Sequence, residues 1–313
     1  MLKMKIGVAL GGGGAKGFAH LGVLKVLAQA GIECEVVSGT SIGALVGATY
    51  AAASLEDFEK SCKKIKLTDI PMLLTPTWPK QGLFSGKKVL DLLSELIKAE
   101  NIEDLEKPFA AVCVDLNDGE IVTFTSGNLT QALKASMAIP GVFTPVVIED
   151  KLLVDGGVLE PVPVRAARSL GAEFVIAVDL LAHSHRHKKN NKVRSGKKDE
   201  IEIQGPISVP DYISKIWEKT YLGKQFNLKG KDKSHEPGIL DIIQITSLVA
   251  QRGMTKYRLK EHPPDFIIRP EVADVGMFDF HRGDWIIKIG EESAKAVLPK
   301  LKEEITKHKS KCL

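Results

Sequence analysis

No apolar run in the 313-residue chain approaches the roughly 20 residues that a membrane-spanning helix needs. Charge of one sign is missing too. The 43 basic residues stand against 39 acidic ones, and a net +4 is too small an excess to point to nucleic acid. No basic patch is interleaved with aromatic residues, which removes the remaining support for a nucleic-acid partner. The balance would nevertheless not repel an anionic lipid surface. Cysteine is scarce: four residues, at 34, 62, 113 and 312, without metal-ligand spacing. Cys113 lies in an apolar, strand-like run and reads as an inert buried thiol. Residues 1–10 lack a small-residue cleavage site and run into glycines, so they are read as a core strand and not a signal peptide. A reduced, cytoplasmic chain is expected.

What is present is ordinary in bulk and pointed in detail. Hydrophobic residues make up 44% and charged residues 26%, enough for a sizeable core. Residues 5–10 read as a buried strand, 15–30 as a helix closed by Gly31, 36–38 as a second strand, and 44–53 as a small-residue helix buried nearly all round. Two strand–turn–helix units within about 50 residues argue for a parallel sheet with crossover helices. Helices are expected at 56–66 and at 87–98, the latter capped by Ser85. Residues 109–115 and 120–125 pair across Asn117-Asp118-Gly119, and 146–148 and 152–154 form another hairpin. A short helix at 163–170 precedes a strand at 174–179. Residues 183–205 lose nearly all apolar character and read as a mobile basic loop. Beyond them the pattern gives helices at 210–221 and 239–251, a strand at 266–269 and an amphipathic helix at 284–302. No repeat and no linker divide the chain. One α/β domain over 5–313 is expected, with a core at 5–180 and a helical, lid-like and C-terminal part at 206–313.

Two glycine motifs carry the chemistry. Gly12-Gly13-Gly14-Ala15-Lys16-Gly17 follows a strand and opens a helix, as a dinucleotide loop does. Phe18 after Gly17 rules out a P-loop. Alone it fits a cofactor loop, an anion or oxyanion cradle, or a tight turn. Gly39-Thr40-Ser41-Ile42-Gly43 is G-x-S-x-G, again between strand and helix, where small neighbours let a serine Oγ protrude. The alternative is a serine N-cap with glycines for packing. Neighbouring parallel strands would bring both loops to one sheet edge, so that Ser41 faces a row of backbone N–H groups suited to an oxyanion. That pairing favours acyl transfer over nucleotide binding.

The base is less clear from residue chemistry. A triad using His262 or His281 is formally possible, but Ser41 follows only the second strand and neither histidine ends a core strand. His20 lies on the first helix and reads as a satisfied helix residue. Asp155 ends an apolar strand and is followed by Gly156 and Gly157. Its ordinary pKa near ~3.9 suits a serine hydroxyl only in a site shielded from water.

The ordered set of the glycine loop, the Ser41 elbow and Asp155-Gly156-Gly157 resembles the patatin-like phospholipase signature. Residues 17–24 and the stretch from Ala135 through Ser136 and Pro140 to Phe143 resemble it as well, so the likeness covers most of 5–180. The chain is similar to small single-domain microbial members. The resemblance implies a three-layer α/β sandwich around a mostly parallel sheet, with Ser41 as nucleophile and Asp155 as base without histidine. It implies an oxyanion hole lined by Gly12, Gly13 and Gly14, with Lys16, Gly17, Gly39, Ile42, Gly43, Gly156 and Gly157 in support. It also implies a lipid or acyl-ester substrate and no metal or cofactor. Lys16 stands where the family more often has arginine, keeping the charge but losing the planar fork. Rival functions are an acyl-thioesterase or acyltransferase at the same site, a lipid-binding regulatory protein with a dispensable dyad, and a nucleotide-binding protein. His183, His185 and His187 read as a solvated loop more readily than a metal site. Residues 70–84, with Leu73, Leu74, Trp78 and Phe84, either touch a bilayer or close the core.

Overall fold

The computed structural model describes residues 4–70, 86–182 and 239–311. Strand and helix alternate first: β1 (Ile6–Leu10), α1 (Phe18–Gln29), β2 (Val36–Thr40), α2 (Ile42–Ala51) and α3 (Leu55–Lys64). Next come α4 (Lys87–Leu96), β3 (Phe109–Asp115), β4 (Ile121–Phe124) and α5 (Leu129–Ser136). The hairpin of β5 (Val146–Ile148) and β6 (Lys151–Asp155) leads to α6 (Val164–Ser169) and β7 (Phe174–Val178). The remaining elements are α7 (Ile239–Glu261), β8 (Phe266–Ile268) and α8 (Gly283–Lys311).

The strands form one eight-stranded sheet in the order β5-β6-β3-β2-β1-β7-β8, with β4 also paired to β3. Five strands from β3 to β8 run parallel, and β4, β5 and β6 are antiparallel additions. Every residue of β1, β2, β3 and β7 is buried, as expected of strands covered on both faces. On one face Val8, Leu10, Val37, Phe109 and Ile176 join a core with α1, α2 and α8. On the other, Ala9, Val36, Val175 and Ala177 pack against α6 and Leu259 of α7. The expected three-layer, mostly parallel α/β architecture is therefore present. β1 lies between β2 and β7, so strands are added to both sides of it and its carboxyl end is a topological switch point, where open α/β sheets leave a crevice.

Several elements differ from expectation. β2 extends through Thr40 and α2 starts at Ile42, leaving Ser41 alone between them. α5 has no counterpart in the sequence reading, although Asn128 supplies a signal: its side chain caps the helix by accepting from the Gln131 N–H at 2.9 Å. α7 continues ten residues past the expected end. Gly253 breaks no contact, because nothing lies within 4 Å of a Cβ placed there, and the following turns are held by buried Thr255 and by Leu259. α8 likewise runs on to bury Ile305. The Ser85 cap, loop residues 71–84, the basic loop at 183–205 and the helix at 210–221 lie outside the described residues.

α1 and α8 cross at backbone contact. A Cβ on Gly290 would strike the Ala19 carbonyl oxygen, and one on Gly22 the Ile287 carbonyl oxygen. Lys25 and Glu291 close the crossing with a 2.8 Å ion pair. Replacing Gly290 by valine should force the helices apart and lower unfolding stability by about 1–3 kcal/mol in chemical denaturation. An unchanged denaturation midpoint would show that the crossing yields without cost.

Candidate active site

Ser41 sits on a backbone that few residues adopt, with φ 57° and ψ −126°. Such a conformation costs on the order of 1–3 kcal/mol and persists only where its surroundings hold it. Here they do. The Ser41 N–H donates to Ser136 Oγ at 2.9 Å, and that hydroxyl donates to the Val112 carbonyl at 2.7 Å. The Ser41 carbonyl accepts from the Ala44 and Leu45 amides at 2.8 and 3.2 Å. The two motif glycines let the turn close. A Cβ on Gly39 would enter the Gly43 carbonyl and the Ala44 backbone, and one on Gly43 would strike the Leu10 carbonyl.

The register of β3 brings Asp155 to this elbow. β2 pairs with the first half of β3, ending at Thr40 opposite Val112, while β6 pairs with the last part, Asp155 lying opposite Cys113. Because β4 pairs with both Val112 and Cys113, β2 and β6 must share the other edge of β3. Their carboxyl ends therefore meet on consecutive β3 residues. The Asp155 N–H donates to the Ala138 carbonyl at 3.0 Å. The carboxyl end of α5 thus pins both partners: its last residue, Ser136, holds the Ser41 amide and Ala138, two residues on, holds the Asp155 amide. Gly156 packs its Cα against the Val112 carbonyl, leaving no room for a side chain.

Asp155 is 3% exposed and accepts the Gly157 N–H on Oδ1 at 2.7 Å, with the Ser41 elbow beside it. Burial pushes its carboxyl up to about 6, against the pull of the Ser41 and Gly157 hydrogen bonds. A carboxylate in that range accepts a proton near neutral pH far better than a hydrated one.

The glycine loop leaves β1 beside the elbow. Gly11 N–H donates to Val178 at 3.1 Å, Gly12 N–H to Pro161 at 2.9 Å and Ala15 N–H to Met277 at 2.9 Å. The Gly12 amide is engaged, its Cα lying against Ser41, whereas among the described residues no backbone carbonyl accepts from Gly13 or Gly14. Gly14 adopts φ 59° against the Met277 backbone, and Gly17 packs on Ile42, so the two motifs interlock. Lys16 is buried, and burial with the nearby Arg252 guanidinium lowers its ammonium to about 8. His20 is fully buried and neutral, burial lowering it to about 4. Its Nε2–H donates to the Gly11 carbonyl at 2.8 Å, anchoring the loop.

The other histidines do not join the pair. His262 lies past α7 with its Nε2 3.7 Å from Glu261, and His281 lies in the 3-10 turn Phe280–Arg282. Among the described residues neither bonds to Ser41 or Asp155, and no cluster of three His, Cys, Asp or Glu forms a metal site. His183, His185 and His187 lie outside the described residues. Sequence reasoning overlooked the role of Ser136, though it stands in the stretch that carried the resemblance. It also overlooked Leu159–Pro161, whose successive carbonyls accept from Arg258, Thr40 and Gly12.

Comparison with known proteins returns the same motif region. A sequence profile of the patatin-like phospholipase family matches residues 8–168. An uncharacterized NTE family protein of Mycobacterium tuberculosis is 38% identical over 176 residues, covering 56% of this chain and 49% of that protein. Patatin-like phospholipase domain-containing protein 6 of Homo sapiens is 30% identical over 300 residues, covering 93% of this chain and 20% of that protein. The alignments thus span about half the length of the mycobacterial relative and a fifth of the human one. The crystal structure of VipD from Legionella pneumophila superposes with a TM-score of 0.44 at 13% identity, over 95% of this chain and 67% of that one.

Two substitutions read the site without a substrate or through one bond. A carboxyl raised from 3.8 to about 6 costs stability when ionised; the cost is full above about pH 6 and absent below the unfolded value. Asp155→Asn should therefore raise unfolding stability at pH 8 by up to about 3 kcal/mol, and the gain should vanish near pH 3.5. A gain independent of pH would refute the raised carboxyl. Ser136→Ala leaves the buried Ser41 amide and Val112 carbonyl without their partner, at about 1–3 kcal/mol. It should slow modification of Ser41 by an electrophilic phosphonate at least about tenfold in protein that remains folded; an unchanged rate would show that the elbow holds itself.

Proposed function

The chain belongs to the patatin-like phospholipase family, and we propose that it is a serine lipid acyl hydrolase, cleaving fatty acyl esters of phospholipids or related lipids through a Ser41–Asp155 dyad. The observation that carries this reading is that β2 and β6 end on consecutive β3 residues, which sets the Ser41 elbow beside the buried Asp155 carboxyl, raised to about 6. Ser41 Oγ attacks the acyl carbonyl while Asp155 takes its proton, and the carbonyl oxygen becomes the tetrahedral oxyanion. The Gly13 and Gly14 amides, next to the amino end of α2, stabilise that charge. Collapse breaks the bond to the alcohol, which leaves with the proton from Asp155. Water then attacks the acyl-enzyme, and Asp155 again takes the proton and returns it to Ser41 Oγ as the bond to the acyl carbon breaks and the fatty acid departs.

His20 supports the cradle by holding Gly11, and its neutrality at working pH keeps a second base out of the mechanism. The reading extends to a cytoplasmic protein that meets lipid surfaces peripherally. No helix among the described residues is long and apolar enough to cross a membrane. Cys34, Cys62 and Cys113 are free and buried, and burial pushes the Cys34 and Cys113 thiols up to about 12, in keeping with an inert, reduced set.

A fluorophosphonate probe and p-nitrophenyl butyrate hydrolysis test the proposal. Wild type should label and turn over, Ser41→Ala should do neither, and Asp155→Asn should lose about 10³-fold or more in kcat/KM. Since the ionised carboxyl is the active form, kcat/KM should rise with pH through about 6 and level off above 7. Full activity in Ser41→Ala, or a wild type that neither labels nor cleaves any ester, would sink the assignment.

A further inference from the structure

We infer that helix α7 is the cover that keeps water from Asp155, with Gln251 and Arg258 as its positioning residues. The inference rests on the reading of Asp155 as the base. α7 packs on the Gly156–Val158 turn, whose Gly157 N–H holds Asp155 Oδ1. It touches that turn and the residue that follows it. The point where a Gly157 Cβ would stand is 2.9 Å from Asp155 Oδ1 and 3.4 Å from the Gln251 side-chain amide, so the missing side chain makes room for Gln251. Two turns on, Arg258 Nε donates to the Leu159 carbonyl at 3.0 Å. Leu159 begins the segment whose next carbonyls hold Thr40 at 2.8 Å and Gly12 at 2.9 Å. The position of α7 is thereby tied to the Asp155 turn, the elbow and the glycine loop together.

α7 makes these contacts through one face. Gln251, Thr255, Arg258 and Leu259 lie inward at helical spacing, while Ile242, Val249 and Tyr257 on the outer face are 51%, 61% and 58% exposed. A helix held on one side by few polar contacts is sensitive to each of them. Burial dominates the Asp155 carboxyl, and Gln251 on the inner face of α7 lies against the Gly157 turn that holds it. Around that carboxyl, β3 contributes the Cys113 thiol, the elbow Ser41 and the turn the Gly157 N–H. Farther off, Lys16 of the glycine turn faces Arg252 of α7, and Glu160, next after Leu159, faces Arg165, Arg258 and His262. None of these charges ranks with burial, Ser41 and Gly157 in setting Asp155. Loosening α7 admits water and returns Asp155 toward an ordinary carboxylate, a weaker base.

The test uses the full chain with Arg258→Ala, Arg258→Lys and Gln251→Ala, each with and without Asp155→Asn. The readouts are the pH profile of p-nitrophenyl butyrate hydrolysis and thermal melting at pH 8. In Arg258→Ala and Gln251→Ala the acid limb should move down by about one pH unit and the plateau fall about tenfold. The stabilisation by Asp155→Asn should shrink to less than half its wild-type size. Arg258→Lys, which still reaches the Leu159 carbonyl, should restore the limb in part. A lowered plateau with the limb still near 6 in both alanine variants, and an undiminished Asp155→Asn stabilisation, would overturn the inference. Should Arg258→Ala not fold, Gln251→Ala and Arg258→Lys carry the same comparison. A wild type that neither labels nor hydrolyses sinks the dyad reading, whereas the melting comparison reads the hydration of Asp155 without any turnover.

Discussion

Thr40 and Asp155 pair with consecutive residues along one edge of β3, and the site depends on that sharing of an edge. β2 arrives parallel and β6 antiparallel, so their carboxyl ends meet at Val112 and Cys113 instead of passing each other. A parallel strand in the place of β6 would carry its own carboxyl end away from Ser41. The antiparallel addition to a parallel sheet is therefore what brings a carboxylate to a serine elbow without a histidine between them. Val112 concentrates the arrangement: it pairs with Thr40, its carbonyl accepts the Ser136 hydroxyl, and Gly156 packs on it.

Around that junction, backbone and short side chains do most of the holding. Ser41 keeps a strained conformation because its N–H and C=O both have partners. The glycine loop is fastened by the Gly11, Gly12 and Ala15 amides and by His20, while among the described residues no backbone carbonyl accepts from Gly13 or Gly14. Nearly all of these groups are buried, where an unmade hydrogen bond costs more than a made one contributes. The same burial that makes the network rigid raises the Asp155 carboxyl to about 6.

The sequence made the central motifs legible because each has a local cause. G-x-S-x-G needs small residues where an elbow folds back on itself, and Gly39 and Gly43 stand where any Cβ would meet backbone. The parallel core was legible from its continuous apolar strands, and Cys113 from its apolar setting. α5 was missed because it is only eight residues long, and the lengths of α7 and α8 because tertiary packing carries both past the point where local signals stop. Gly12 was assigned to the cradle by motif position, yet its amide is spent on Pro161, a partner about 150 residues away that no local pattern reveals.

By itself the sequence determined the residue types: a serine between glycines, a carboxylate before two glycines, and a glycine run opening a helix. It also determined that β1, β2, β3 and β7 would be buried on both faces, since alternation is absent from them. Tertiary structure alone decided that Thr40 and Asp155 share a strand edge, that Ser136 and Ala138 pin the two partners, and that α7 lies over the Gly157 turn. Those are contacts between segments far apart in the chain. Their geometry follows from register and packing, which depend on every strand at once and leave no mark in any one of them.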